Sequence, residues 1–161
     1  MLKQQNDAGQ TIVPVAVRAL VASDHEGWLP LWQAYCAFYK VTVPDAVTHT
    51  LWSRILDPQF PVKGLVALSE ARPVGLCHYV LHPHTWSDQT LCYLEDLFTD
   101  ATCRGRGVGH ALIGHLREMA QAQGWRRVYW HTETDNHTAR RLYDDVAGGA
   151  DPFVRYTLDL A

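Results

Sequence analysis

The chain has 161 residues, 47% of them hydrophobic and 19% charged, with a formal net charge of −3. That length suits one domain with a real core, and the composition is that of a globular protein rather than a disordered one. The negative balance argues against a general nucleic-acid binder, and no apolar run reaches membrane-spanning length. A single domain over residues 1–161 is expected, with a polar, flexible extension over residues 1–11 that has no signal-peptide core. The four cysteines, Cys36, Cys77, Cys92 and Cys103, form no close CxxC pair and read as reduced thiols of a cytoplasmic protein.

Val13, Val15 and Val17 alternate with smaller or polar residues and predict a first strand ending near Ala19. Ser23 stands three residues before Glu26, the spacing of a capping box, and opens a helix with the stripe Trp28, Leu31, Trp32, Tyr35, Cys36, Tyr39. Pro44-Asp45 restarts a second helix with Val47, Leu51, Trp52, Ile55 and Leu56 on its apolar side, and Asp57-Pro58 stops it. The period then falls to two. Strands are predicted over 64–69 and 74–81, joined by a turn at 70–73, with a loop over 82–88 and a third strand over 90–99.

The next helix carries Val108, Ala111, Leu112, His115, Leu116, Met119 and Ala120 on one face and ends at Gly124. A strand over 126–131, a helix over 136–146 and a closing strand over 153–160 complete the chain. The order β-α-α-β-β-β-α-β-α-β predicts a mixed α/β sheet with helices packed on it.

The densest signal is Arg104-Gly105-Arg106-Gly107-Val108-Gly109, which follows a strand and opens a helix. Such a turn aims several amide N–H groups and a helix N-terminus at one point beside cations, which suits a phosphate or pyrophosphate. It is not a P-loop, because Gly109 is followed by His110-Ala111 rather than Lys and Ser or Thr. It does not fit a dinucleotide fold either, because antiparallel hairpins rather than a βαβ unit precede it.

Arg104-x-x-Gly107-x-Gly109 after Tyr93-Leu94-Glu95-Asp96-Leu97-Phe98 resembles the acyl-CoA motif of the GNAT superfamily of N-acetyltransferases. Asn136-x-x-Ala139-x-x-Leu142-Tyr143 resembles that family's next motif, about 30 residues on. Gly75-Leu76-Cys77-His78-Tyr79, with Trp86 and Tyr93-Leu94-Glu95-Asp96, is similar to the diamine and polyamine acetyltransferase branch.

The resemblance implies an acetyl-CoA-dependent transfer to a primary amine of a small molecule: a diamine, a polyamine or an amino acid. It implies that Leu97, Phe98 and Thr99 lie along the pantetheine arm, with the Leu97 amide polarising the thioester carbonyl. Main-chain amides from Gly105 through Arg106, Gly107, Val108 and Gly109 to His110, with the Arg104 and Arg106 side chains, would hold the pyrophosphate. Asn136 would bond the pantetheine, and Ala139 would leave room for it. Glu95 matches the base that takes the amine's proton, with Asp96 structural, and Tyr143 matches the acid that protonates the departing thiolate.

The amine pocket is expected among the first two helices and the aromatics Trp28, Tyr35, Tyr39, Tyr79 and Trp86, beside Glu95. Polyamine enzymes carry acidic residues near the end of the first helix. Here Phe38-Tyr39-Lys40 stands instead, which favours a small amine or an amino acid. A homodimer joined through the last strand is expected by family habit, and no nucleic acid, membrane or metal partner. Of the nine histidines, His78 and His82 share a strand face, but no third ligand is fixed by spacing. A protein acetyltransferase and a non-catalytic CoA-binding module are the alternatives on the same scaffold.

Overall fold

The computed structural model describes residues 14–160. The expected extension over 1–11 and Val13 of the first predicted strand lie outside them. The described residues form two compact units, one through His131 and one from Thr132 on.

The first unit is built on a five-stranded sheet with β1 Ala16–Ala19, β2 Val62–Ser69, β3 Arg72–His84, β4 Ser87–Thr99 and β5 Arg127–Tyr129, hydrogen-bonded in that order. The first four strands run as antiparallel neighbours, and β5 pairs parallel to β4 after a helical crossover. The predicted loop over 82–88 does not form. β3 and β4 instead make a long hairpin closed by a turn at Thr85 and Trp86. Pro83 looks like a breaker because it has no N–H to give, but the register between β3 and β4 skips at this residue and leaves it outside the ladder.

Helices α1 His25–Phe38 and α2 Asp45–Leu56 cover one face of the sheet, where Trp28, Leu31, Trp32 and Ile55 pack with Val66, Leu76 and Phe98. Helix α3, Val108–Ala122, covers the other face through Val108, Leu112, Ile113, Leu116 and Ala120. Its seat is Gly75. A Cβ there would come within 2.7 Å of Val108 Cγ1 and 2.9 Å of the Phe98 carbonyl oxygen. Gly27 of α1 likewise lies against Pro73, so both layers need a glycine at their closest approach to β3.

Three local expectations change. The start of α1 is not a box from Ser23. Ala22–Asp24 form a 3-10 turn, and the Asp24 carboxylate takes the Val21 N–H at 2.8 Å and both arms of Arg18 at 2.6 and 2.8 Å. Arg18, with the Val21 amide, holds the Asp24 carboxyl below its ordinary range. On α2, Val47 is exposed and Thr48 is buried in its place, because the Trp32 indole N–H donates to the Thr48 hydroxyl at 3.2 Å. β5 is only three residues long rather than six.

The second unit contains α4, His137–Ala147, which ends at Gly148 in the left-handed region. The predicted closing strand over 153–160 is absent. Phe153, Val154, Tyr156, Leu158 and Leu160 are exposed, and no ladder pairs them. Their alternation is that of a strand, but alternation alone gives no partner for the backbone. Among the described residues no helix is long and apolar enough to cross a membrane.

Candidate active site

The site begins at an irregularity in β4. His78 faces Asp96 across the ladder and Tyr79 faces Leu94, so Glu95 is one residue too many and forms a bulge. β5 accompanies β4 only from Leu91 to Tyr93. Beyond Tyr93, among the described residues, β4 is paired on its β3 side alone, and the segment 94–99 presents an open edge on the other. Glu95 is exposed there, Leu97 and Thr99 are half-buried, and Phe98 is buried in the core under α1.

The bulge re-aims Asp96 into a side-chain cluster. Trp28 Nε1 donates to His78 Nε2 at 2.9 Å, and both residues are buried. An indole N–H can only donate, so Nε2 accepts and the imidazole proton rests on Nδ1. Nδ1 in turn donates to Asp96 Oδ2 at 2.9 Å. The Tyr35 phenol lies close enough to feel Asp96. Burial first, then the charges of Asp96 and Glu95, raise that phenol far above its ordinary range. Sequence reasoning left Asp96 as structural and weighed His78 only as a metal ligand. A strand histidine one turn of the hairpin from an acidic pair was the available signal, and the bulge that joins them has no sequence signature.

The glycine-rich turn follows. Asp100 closes the 3-10 turn Ala101–Cys103 by accepting the Thr102 N–H at 2.8 Å, and Thr102 lowers the Asp100 carboxyl below its usual range. Gly105 and Gly107 have φ of 71° and 86°, where other residues are strained. Gly107 is the N-cap of α3 and lends no side-chain bond. The Ala111 amide bonds back to the Gly107 carbonyl at 2.9 Å, and the opening amides of an α-helix have no acceptor within the helix. This helix end suits a diphosphate. The Val108 side chain belongs to the core, so only its amide can serve. The Arg104 guanidinium lies over the rings of Phe38 and Phe98 and donates to the Thr99 carbonyl, whereas Arg106 and His110 are exposed.

In the second unit, the Asn136 side chain caps α4 by accepting the Ala139 N–H at 3.2 Å. Arg140 donates to the Thr134 carbonyl, and Tyr143 is half-buried.

The aromatics proposed for the amine are dispersed. Trp28 and Tyr35 serve the Asp96 cluster. Tyr39 ends α1 against Tyr35 and Phe38. Tyr79 is buried on the opposite face of β3, beside Trp125, and burial pushes its phenol up to about 12. Trp86 tops the hairpin turn at 89% exposure. A cleft of about 710 Å³ does open between α1, its connection to α2, and α2, and Trp32, His25, Thr48 and His49 are among the residues lining it. Of the two histidines paired by spacing, His78 joins Asp96 while His82 meets the Tyr129 hydroxyl and the Pro83 carbonyl; nearby, His84 takes the Trp86 N–H.

Residues 28–148 match the acetyltransferase (GNAT) family. A D-amino-acid N-acetyltransferase of Saccharomyces cerevisiae, HPA3, is 33% identical over 83% of this chain and 84% of its own length. A thialysine N-epsilon-acetyltransferase of Caenorhabditis elegans is 32% identical over 53% of this chain and 52% of its own. Among solved structures, an aminoglycoside N-acetyltransferase, AAC(6')-Iy in complex with CoA, superposes with a TM-score of 0.77 at 16% identity, over 92% of this chain and 97% of that one.

Proposed function

This chain belongs to the GNAT family of acetyltransferases, and from that premise we propose that it moves an acetyl group from acetyl-CoA to the primary amine of a small molecule, an amino acid or a short amine. The observation that carries this reading is the open edge of β4 from Leu94 to Thr99, with the Glu95 bulge at one end and the glycine turn at the other. The relatives that act on D-amino acids and thialysine support an amino-acid acceptor. The neighbour solved with CoA supports the donor.

On this reading the α3 end and the turn from Gly105 to His110 hold the pyrophosphate, and the backbone of 97–99 lies along the pantetheine. Bound there, acetyl-CoA supplies the activated acyl group as a thioester. Glu95 takes a proton from the acceptor ammonium, directly or through water, which frees the nitrogen lone pair. The amine nitrogen then bonds to the carbonyl carbon as the carbon–sulfur bond breaks. An amide on the open edge, assigned to Leu97, steadies the charge on the carbonyl oxygen. Tyr143 gives its proton to the leaving sulfur and is re-protonated by the second proton that the nitrogen sheds as the amide forms; this role, like those of Asn136 and Ala139, rests on the motif.

The proposal includes a cytoplasmic homodimer. Four buried thiols suit a reducing compartment, and the exposed apolar side chains over 153–160 are a surface for a second copy, which sedimentation velocity checks. The activity is tested by mixing the protein with acetyl-CoA and a panel of D-amino acids, thialysine, diamines and a lysine peptide, while following released thiol. Turnover is expected with an amino acid or short amine. CoA binding without turnover of any amine would refute catalysis. Tyr143→Phe should lower kcat on the order of a hundredfold with CoA affinity unchanged, and equal losses in both would make Tyr143 a binding residue.

A further inference from the structure

Two aspartates are largely withdrawn from water, and they are treated differently. Asp24 is neutralised by the fork of Arg18. The Asp96 side chain is only 13% exposed, and among the described residues no lysine or arginine pairs with it. Its partner is the His78 Nδ1–H. That imidazole is not a cation, because Trp28 occupies its second nitrogen with a donor and leaves no room there for a proton. The carboxylate is thus held in place by a hydrogen bond but not neutralised. A confined anion without a counter-charge is costly unless a cation arrives. Asp96 directly follows Glu95 at the β4 bulge.

We propose that Asp96 is the group that receives the ammonium of the acceptor, and that His78, pinned by Trp28 in its Nδ1–H form, is the positioning residue that aims it. The inference rests on the acetyltransferase reading above and deepens it. Glu95 moves the proton, and Asp96 holds the cation beside it. One confined anion fits a single primary ammonium better than a chain of several.

Two measurements test this. In nitrogen-resolved NMR of the labelled wild-type protein at pH 7, His78 should show a protonated Nδ1 and a bare Nε2; the reverse pattern, or two protonated nitrogens, overturns the positioning role. Steady-state kinetics on the best acceptor then separate recognition from packing. Asp96→Asn should raise the acceptor KM about a hundredfold, and His78→Leu about tenfold, both with the acetyl-CoA KM unchanged. His78→Asn, whose amide N–H can stand in for Nδ1–H, should restore most of the acceptor KM. Equal effects of Leu and Asn, or equal shifts in both substrates, would overturn the proposal.

Titrating the same NMR sample with n-propylamine, with coenzyme A present, covers failure of the broader reading. If no amine turns over but n-propylamine moves the His78 Nδ1 signal, the acetyltransferase reading fails and the ammonium site stands. No movement removes the site, whether or not the enzyme is active.

Discussion

The chain enters α1 and α3 by opposite means. Before α1 stands the 3-10 turn Ala22–Asp24, and there the Asp24 carboxylate takes the Val21 amide that opens the turn and is itself locked by Arg18, so this lead-in is filled by the protein's own atoms. Before α3, Gly107 turns the chain with a φ of 86° and brings no side chain to the helix end. Every helix begins with amides that need an acceptor. Where the chain supplies the acceptor, the end is architecture. Where it supplies a glycine, the end is left for an outside anion. The start of α4, capped by Asn136, belongs with the first kind.

The largest expected effect comes from making the second entrance resemble the first. Gly107→Asp puts a carboxylate at the start of α3, in a backbone conformation that aspartate tolerates better than most residues. Coenzyme A affinity, read by calorimetry, should fall on the order of a hundredfold, because the new anion competes for the amides and repels the diphosphate. Unchanged affinity would break the contrast between the two ends.

The next effect opens the first entrance. Asp24→Asn should cost about 1 kcal/mol at pH 7, since Arg18 is partly exposed and its ion pair is screened. The folded-state pKa of Asp24 is lowered, so its contribution is present above the unfolded carboxyl value and is lost as pH falls through the folded one. Thermal midpoints of wild type and variant should therefore converge below about pH 4. A gap that widens in acid would contradict the pairing.

The smallest effect uses α3 away from its entrance. Gly114 meets nothing within 4 Å, so Gly114→Ala should add about 0.5–1 kcal/mol of stability and leave coenzyme A affinity alone. A change in affinity would mean that the anion seat extends beyond the first turn.

Much of this arrangement was legible in the sequence. The period-two runs mark β2, β3 and β4, the amphipathic stripes mark α1 and α3, and the arginine–glycine turn with the Asn136 motif carries the family resemblance. What was hidden depends on partners distant in sequence or on one-residue geometry. Ser23 and Glu26 imitate a cap by spacing, while it is Asp24 that binds back, to the Val21 amide of the 3-10 turn, where Arg18 of the neighbouring strand reaches it. His82-Pro83-His84 reads as loop because a local rule cannot foresee a skipped register. The alternation over 153–160 is a strand pattern without a ladder. The Glu95 bulge decides where Asp96 goes, and a bulge leaves composition and period almost unchanged.

The cysteines carry a practical corollary. All four are buried, and burial raises the thiols of Cys36, Cys77 and Cys92, the last to about 12, so these sulfurs stay protonated and poorly nucleophilic at neutral pH. A chromogenic disulfide reagent added to the native enzyme therefore meets almost no background from the polypeptide, and its colour counts product. Once the chain opens, the same reagent finds four new targets per molecule, so a single cuvette can report turnover while the enzyme is folded and inactivation when it is not.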